Sequence, residues 1–267
     1  GLLYLEGVHI PRNVNKAIHY LLLASEQNEP RAQYHLGLVY LEGLCGSQDL
    51  NKAIHYFTLA SDQNISDAQY NLGLIYSDGK YISRDIEKAI YYFTLAANQN
   101  HPSAQYNLGV IFYEGYYVTR DIAKSIHYLK LAAEQDFSDA LYNLGSIYYY
   151  GKYVPRDIDK SINYFLLASN LLNAKAQFIL GCIYYDGKDA SKAIHYFQLA
   201  ANSNVLAANH NLGIFYYTGK YIPSDINKAI YYFSYAAKQN FQYSQYILGL
   251  IYYEGLVVNR DIDKAIH

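Results

Sequence analysis

The sequence predicts an all-α solenoid built from helix pairs, and three observations carry that prediction. A unit typified by residues 68–103 recurs, so that the glycine of each leucine-glycine or equivalent pair falls at Gly1, Gly37, Gly73, Gly109, Gly145, Gly181, Gly213 and Gly249, 36 residues apart with one step of 32. Each unit holds two segments with helical apolar periodicity. A glycine closes the first segment and an acid opens the second, the stop and start signals of adjacent helices. Repetition at this period marks units that bury their apolar faces by stacking on one another.

Within the unit, residues 68–78 read as a first helix. Ala68, Leu72, Ile75 and Tyr76 share one face and Tyr70, Gly73 and Leu74 another, leaving a narrow polar stripe at Asn71 and Asp78. A helix apolar nearly all round is buried on several sides, which makes this the inner helix of the pair. Gly73 stands mid-helix, where glycine costs roughly 0.5–1 kcal/mol against alanine, so its recurrence implies close helix approach. Gly79 then ends the helix as a residue suited to a left-handed conformation. The second helix spans about 85–98. Asp85 suits the positive helix end, and Ile86, Ala89, Ile90, Tyr92, Phe93, Ala96 and Ala97 form a broad apolar face.

Ala68, Leu72, Gly73, Tyr76, Gly79, Ile82, Asp85, Lys88, Ala89, Tyr92 and Ala96 follow a pattern that resembles the Sel-1-like repeat, and the other units keep it with few changes. The resemblance covers essentially the whole chain. It implies antiparallel helix pairs wound into a right-handed α/α superhelix, related to tetratricopeptide repeats and used chiefly to hold proteins together. Where that family often has lysine before the alanine pair, this chain has Leu23, Leu59, Leu95, Leu131, Leu167, Leu199 and Tyr235, a greasier outer column that suggests self-association. Some bacterial members carry a cysteine pair in each repeat; Ala96 and Ala97 occupy such positions here.

The expected organisation is one array over 1–267: a partial repeat at 1–31, full repeats at 32–67, 68–103, 104–139, 140–175, 176–207 and 208–243, and a partial repeat at 244–267. Neither end looks like a polar cap, so a fragment of a longer protein is expected. The unit at 176–207 lacks four loop residues corresponding to Tyr153–Arg156. A net charge of −2 with 16% charged residues offers no basic footprint for nucleic acid, and no apolar run is long enough to span a membrane. Cys45 and Cys182 lie in different units, so no disulfide is expected, which weakly favours the cytoplasm and otherwise leaves the compartment open.

Catalytic motifs fail on spacing. Gly73 to Gly79-Lys80 has five residues between its glycines where a phosphate loop needs four. His19, His55, His127 and His195 form a column one repeat apart, too far for one zinc, and the acids Asp49, Asp85, Asp121, Asp157, Asp189, Asp225 and Asp261 are likewise spread one per unit. No catalytic residue, metal site or cofactor is expected. What remains is the stripe along the inner helices: Asn71, Asn107, Asn143 and Asn211, amides suited to gripping an extended peptide backbone. Beside them stand Asp78, Glu114 and Asp186, with Glu42 and Glu254, and the amphipathic rings of Tyr113, Tyr149, Tyr185, Tyr217 and Tyr253, which serve either binding or packing. The expected function is a non-enzymatic scaffold or adaptor that binds a protein or extended peptide on the concave face. The alternative is a regulatory or substrate-recruiting arm of a larger enzyme such as a protein kinase.

Overall fold

Helix ends fall where the glycine and acid punctuation puts them. The computed structural model describes residues 1–7, 11–44, 46–80 and 82–255, and it divides the chain into two compact units, 1–140 and 141–267. In the first unit lie α1 (Leu2–Glu6), α2 (Val14–Glu26), α3 (Pro30–Glu42), α4 (Leu50–Asp62), α5 (Ser66–Asp78), α6 (Ile86–Asn98), α7 (Pro102–Glu114) and α8 (Ile122–Ala133). α9 (Ser138–Tyr150) runs across the division, and the second unit continues with α10 (Ile158–Asn170), α11 (Ala174–Asp186), α12 (Ala190–Asn202), α13 (Leu206–Thr218), α14 (Ile226–Lys238) and α15 (Gln242–Glu254). No strand occurs among the described residues. α5 begins two residues before the expected start because Asp67 favours its positive end and the left-handed Asn64 (φ 63°) turns the chain just ahead of it. Asp85 is the cap of α6 and stands outside it.

The first unit is held by pairing within repeats, α3 on α4, α5 on α6 and α7 on α8, and by each second helix packing on the next first helix. The inner-helix glycine is the point of closest approach. A Cβ on Gly73 would stand 2.5 Å from the Phe93 ring, and one on Gly37 would meet Phe57 at the same distance. Phe57 and Phe93 are completely or almost completely buried, each contributing about 1.5–3 kcal/mol. In the third repeat Leu129 does this work against Gly109. The alanines expected to admit close packing, Ala53 and Ala89, are fully buried.

One tier accounts for four consensus positions at once. The Asp85 carboxylate accepts from the backbone N–H of Lys88 at 3.0 Å, capping α6, and pairs with the Lys88 ammonium at 3.2 Å. That ammonium lies 5.1 Å from the Tyr76 ring centroid, and Tyr76 stacks on Tyr92 at 5.8 Å. Asp85 N–H donates to the Tyr76 carbonyl at 2.9 Å and so closes the loop.

A second device, invisible in the apolar pattern, joins successive repeats. Gln69 on α5 is buried, donates to the Ser61 carbonyl at 3.3 Å, and accepts from Gln99 at 2.7 Å. Gln105 repeats the arrangement with Ala97 and Gln135, and Gln33 accepts from Gln63.

In the second unit α11 pairs with α12 and α13 with α14, again with Gly145, Gly181 and Gly213 against Phe165, Phe197 and Phe233. The four-residue deletion leaves only Gly187, Lys188 and Asp189 between α11 and α12. Gly187 has φ −73° and Lys188 takes the left-handed turn at φ 62°, one residue later than in the long loops. Asp189 still caps α12 and still donates to the Tyr184 carbonyl at 2.9 Å, so the shortened loop closes in the same way. The glutamine tie is incomplete here: Gln177 donates to Ser169, but its buried Oε1 has no partner, because Ser203 stands where the first unit has Gln63, Gln99 and Gln135. At the preceding pair both members are apolar, Leu141 and Leu171. Ser203→Gln is expected to satisfy Gln177 and raise stability by about 1 kcal/mol, read as a higher urea midpoint with unchanged slope; an unchanged or lower midpoint contradicts the tie.

Candidate functional site

The polar stripe lies on the first helix of each pair, where the period of the helix sets asparagine, tyrosine and acid within two turns of one another. In the first unit α5 touches both α3 and α7, so successive first helices lie side by side. Asn71 is half-buried and donates to the Asp67 carbonyl at 2.8 Å, one turn back, while also reaching the Tyr34 hydroxyl. Asp78 is exposed at the end of α5. Asn107, Tyr113 and Glu114 are half-buried on α7, and Arg120 donates to the Tyr113 and Glu114 carbonyls at 2.8 Å each.

In the second unit the stripe opens into a cavity of about 360 Å³ lined by Cys182, Tyr185, Asp186, Phe197, Asn211, Ile214 and Phe215. It brings together three residues singled out from the sequence: Tyr185 and Asp186 at the end of α11 and Asn211 on α13. Asn143, Tyr149 and Tyr217 are half-buried and do not line it. The tyrosines are engaged in packing: Tyr149 sits edge-on to Phe165, Tyr217 to Phe233, and Tyr185 to Phe215 at 5.2 Å and to Tyr221 at 5.8 Å. The amides of Asn107, Asn143 and Asn211 make no hydrogen bond among the described residues, unlike that of Asn71.

Burial, and then the Asp186 carboxylate, push the Cys182 thiol up to about 11. The thiol therefore stays neutral at physiological pH and adds no charge to the cavity. Burial, together with Asp186, Cys182 and Tyr150, also raises Tyr149, with Arg156 opposing. Asp186 itself is exposed and forms no ion pair among the described residues.

Other columns stand elsewhere. His19, His55, His127 and His195 are exposed, each edge-on to the tyrosine that follows it, as at His55–Tyr56 with centroids 5.1 Å apart. The acids Asp49, Asp85, Asp121, Asp157, Asp189 and Asp225 all cap second helices; Asp261 lies outside the described residues, as do Cys45 and the Glu254 side chain. In the outer column Leu23, Leu167 and Tyr235 are exposed and Leu59, Leu95, Leu131 and Leu199 half-buried. No described helix is long and apolar enough to cross a membrane. The cavity itself was missed from sequence, although the four-residue deletion beside it was the available signal.

Helix pairs repeated at this spacing, each locked by a glycine against a large apolar side chain, define a helical-repeat protein of the kind that typically mediates protein interactions. The chain belongs to the Sel1 repeat family, whose profile matches residues 1–29, 30–65, 66–101, 102–137, 138–171, 174–205, 206–241 and 242–267. These matches begin about two residues ahead of the repeats expected from the sequence, in step with the observed helix starts. Among solved structures, the chain is similar to a protective antigen of uropathogenic Escherichia coli strains displaying an SLR fold, at 30% identity and TM-score 0.87, over 93% of this chain and 54% of that one. It is also similar to a Sel1 repeat protein from Oxalobacter formigenes at 27% identity and TM-score 0.79, over 99% of this chain and 79% of that one. The chain thus spans about half the length of the Escherichia coli protein. No curated protein matches it.

In a Cys45→Ser background, native Cys182 is expected to alkylate with iodoacetamide at pH 8 at least ~100-fold more slowly than in urea, the rate rising about tenfold per pH unit toward pH 11. A plateau near pH 9 contradicts the raised thiol. The sign for stability follows: the unfolded chain loses this proton first, so the Cys182 contribution lowers stability as pH climbs from about 9 to about 11.

Proposed function

We propose that this chain is a non-enzymatic scaffold whose first-helix face holds an extended segment of a partner protein. The observation that carries the reading is the set of uncommitted amides of Asn143 and Asn211 on the same helix face as the cavity at Tyr185 and Asp186. An amide offers one acceptor and two donors to a peptide backbone whatever its sequence, and a tyrosine supplies rigid amphipathic area. Asn107, Tyr113 and Glu114 present the same chemistry in the first unit. The negative residues along the stripe, Asp78, Glu114 and Asp186, favour a basic partner.

Selection of random displayed peptides on the immobilised chain tests this. Extended peptides are expected whose affinity falls about tenfold or more with Asn143→Ala plus Asn211→Ala, or with Asn107→Ala plus Glu114→Ala, while the thermal midpoint stays within about 1 °C. Binders indifferent to both double variants count against the inner face.

Self-association is a separate proposal, favoured by the exposure of Leu23, Leu167 and Tyr235 on the outer helices. Dilution should then convert dimer to monomer in sedimentation, and a monomer at every concentration rejects it.

A further inference from the structure

In three repeats the chain finishes its own first helix with an arginine. Arg84 donates to the Asp78 carbonyl at 2.9 Å, Arg120 to those of Tyr113 and Glu114 at 2.8 Å, and Arg156 to that of Tyr149 at 3.0 Å. The same guanidinium lies on tyrosine: that of Arg156 is 5.5 Å from the Tyr149 ring centroid, and that of Arg84 is 4.6 Å from Tyr117. The position suits a planar cation, because the C-terminal carbonyls are the negative end of the helix dipole and an aromatic face attracts positive charge.

The repeat of α11 and α12 has lost this arginine. Gly151-Lys152-Tyr153-Val154-Pro155-Arg156-Asp157 in the preceding repeat corresponds to Gly187-Lys188-Asp189 here, so the missing segment is Tyr-Val-Pro-Arg. α11 therefore ends in Tyr185 and Asp186 with no guanidinium of its own, and there the cavity opens. The nearby cations do not take its place: Lys188 is exposed and unpaired among the described residues, and the Lys220 ammonium lies over the Tyr221 ring at 5.0 Å.

We propose that the cavity of the shortened repeat receives an arginine side chain from an extended peptide partner, its guanidinium on Asp186 and the Tyr185 ring and its aliphatic stem against Ile214 and Phe215. The peptide thereby supplies the group that the three preceding repeats supply for themselves with Arg84, Arg120 and Arg156; the following repeat has Ser224 at that position. Arginine fits better than lysine because its planar fork meets a carboxylate through two parallel hydrogen bonds and stacks on an aromatic ring. The apolar floor of Phe197, Ile214 and Phe215 accepts the methylene stem, and the neutral Cys182 thiol adds no competing charge. Asn211 on the cavity wall is placed to hold the peptide backbone beside the anchor. This inference rests on the inner-face reading above, and the test separates the two.

Fluorescein-labelled synthetic peptides taken from the selection are titrated against the intact chain by anisotropy. Peptides lost with Asn143→Ala plus Asn211→Ala should share one arginine. Its replacement by glutamine should weaken binding about tenfold to the native chain and less than twofold to Asp186→Asn, an exposed position whose change leaves folding intact. Inserting Tyr-Val-Pro-Arg between Lys188 and Asp189 should restore an internal guanidinium and weaken the arginine peptide by a similar factor. Equal loss in the native and Asp186→Asn chains, or amide-dependent peptides without a shared arginine, overturns the arginine receptor and leaves the inner-face reading standing. Binders insensitive to every amide variant overturn both.

Discussion

The contact of a mid-helix glycine with a buried ring is the constraint from which the rest of the structure follows. Gly37, Gly73, Gly145, Gly181 and Gly213 each face a phenylalanine that a single added methyl group would strike at 2.7 Å or less. Because the two helices meet at that distance, the residues around the contact must be small, and alanine or serine duly recurs at the position of Ala89. The glycine costs helix propensity, and the burial of a whole phenylalanine more than offsets it. The third repeat shows the tolerance of the arrangement, since Leu129 replaces the ring and remains 1% exposed.

Polar groups then set direction and spacing. Asp85, which caps α6, also holds Lys88 on the stacked pair of Tyr76 and Tyr92, so one residue serves helix initiation, loop closure and the packing of an amphipathic ring. The glutamines between repeats bind in the opposite sense, each joining two neighbouring second helices through a buried amide. A buried amide that loses its partner is costly, and at Leu141 and Leu171 both members of the pair are replaced together. Gln177 is the exception, and it occurs in the repeat that has also lost its loop arginine.

These packing duties leave part of the first-helix face uncommitted. Asn71 turns back on its own helix, whereas Asn107, Asn143 and Asn211 make no such bond. The tyrosines of the stripe also take part in packing, since Tyr149 lies edge-on to Phe165 and Tyr217 to Phe233 while both remain half-buried. The cavity beside Asp186 lies at the end of α11, next to the loop that is four residues short.

Much of this was legible in the chain itself. The marker glycines, the helix stops at Gly79 and Gly115 and the capping aspartates are local or periodic signals, readable because a backbone dihedral or an orphan N–H depends on the residues next to it. The family pattern and the columns of asparagine, acid and tyrosine are read in the same way. The glutamine tie was not, since its partners are 30 residues apart and only matched substitutions betray it. The loop arginine was equally silent, because a charged loop residue reads as solvated until its guanidinium is seen on helix-end carbonyls. Above all, the sequence by itself determined which residues share a helix face. Tertiary structure decided which of them meet a residue from another helix, because a cavity such as that of Asp186 and Asn211 exists only where packed helices fail to fill the space between them.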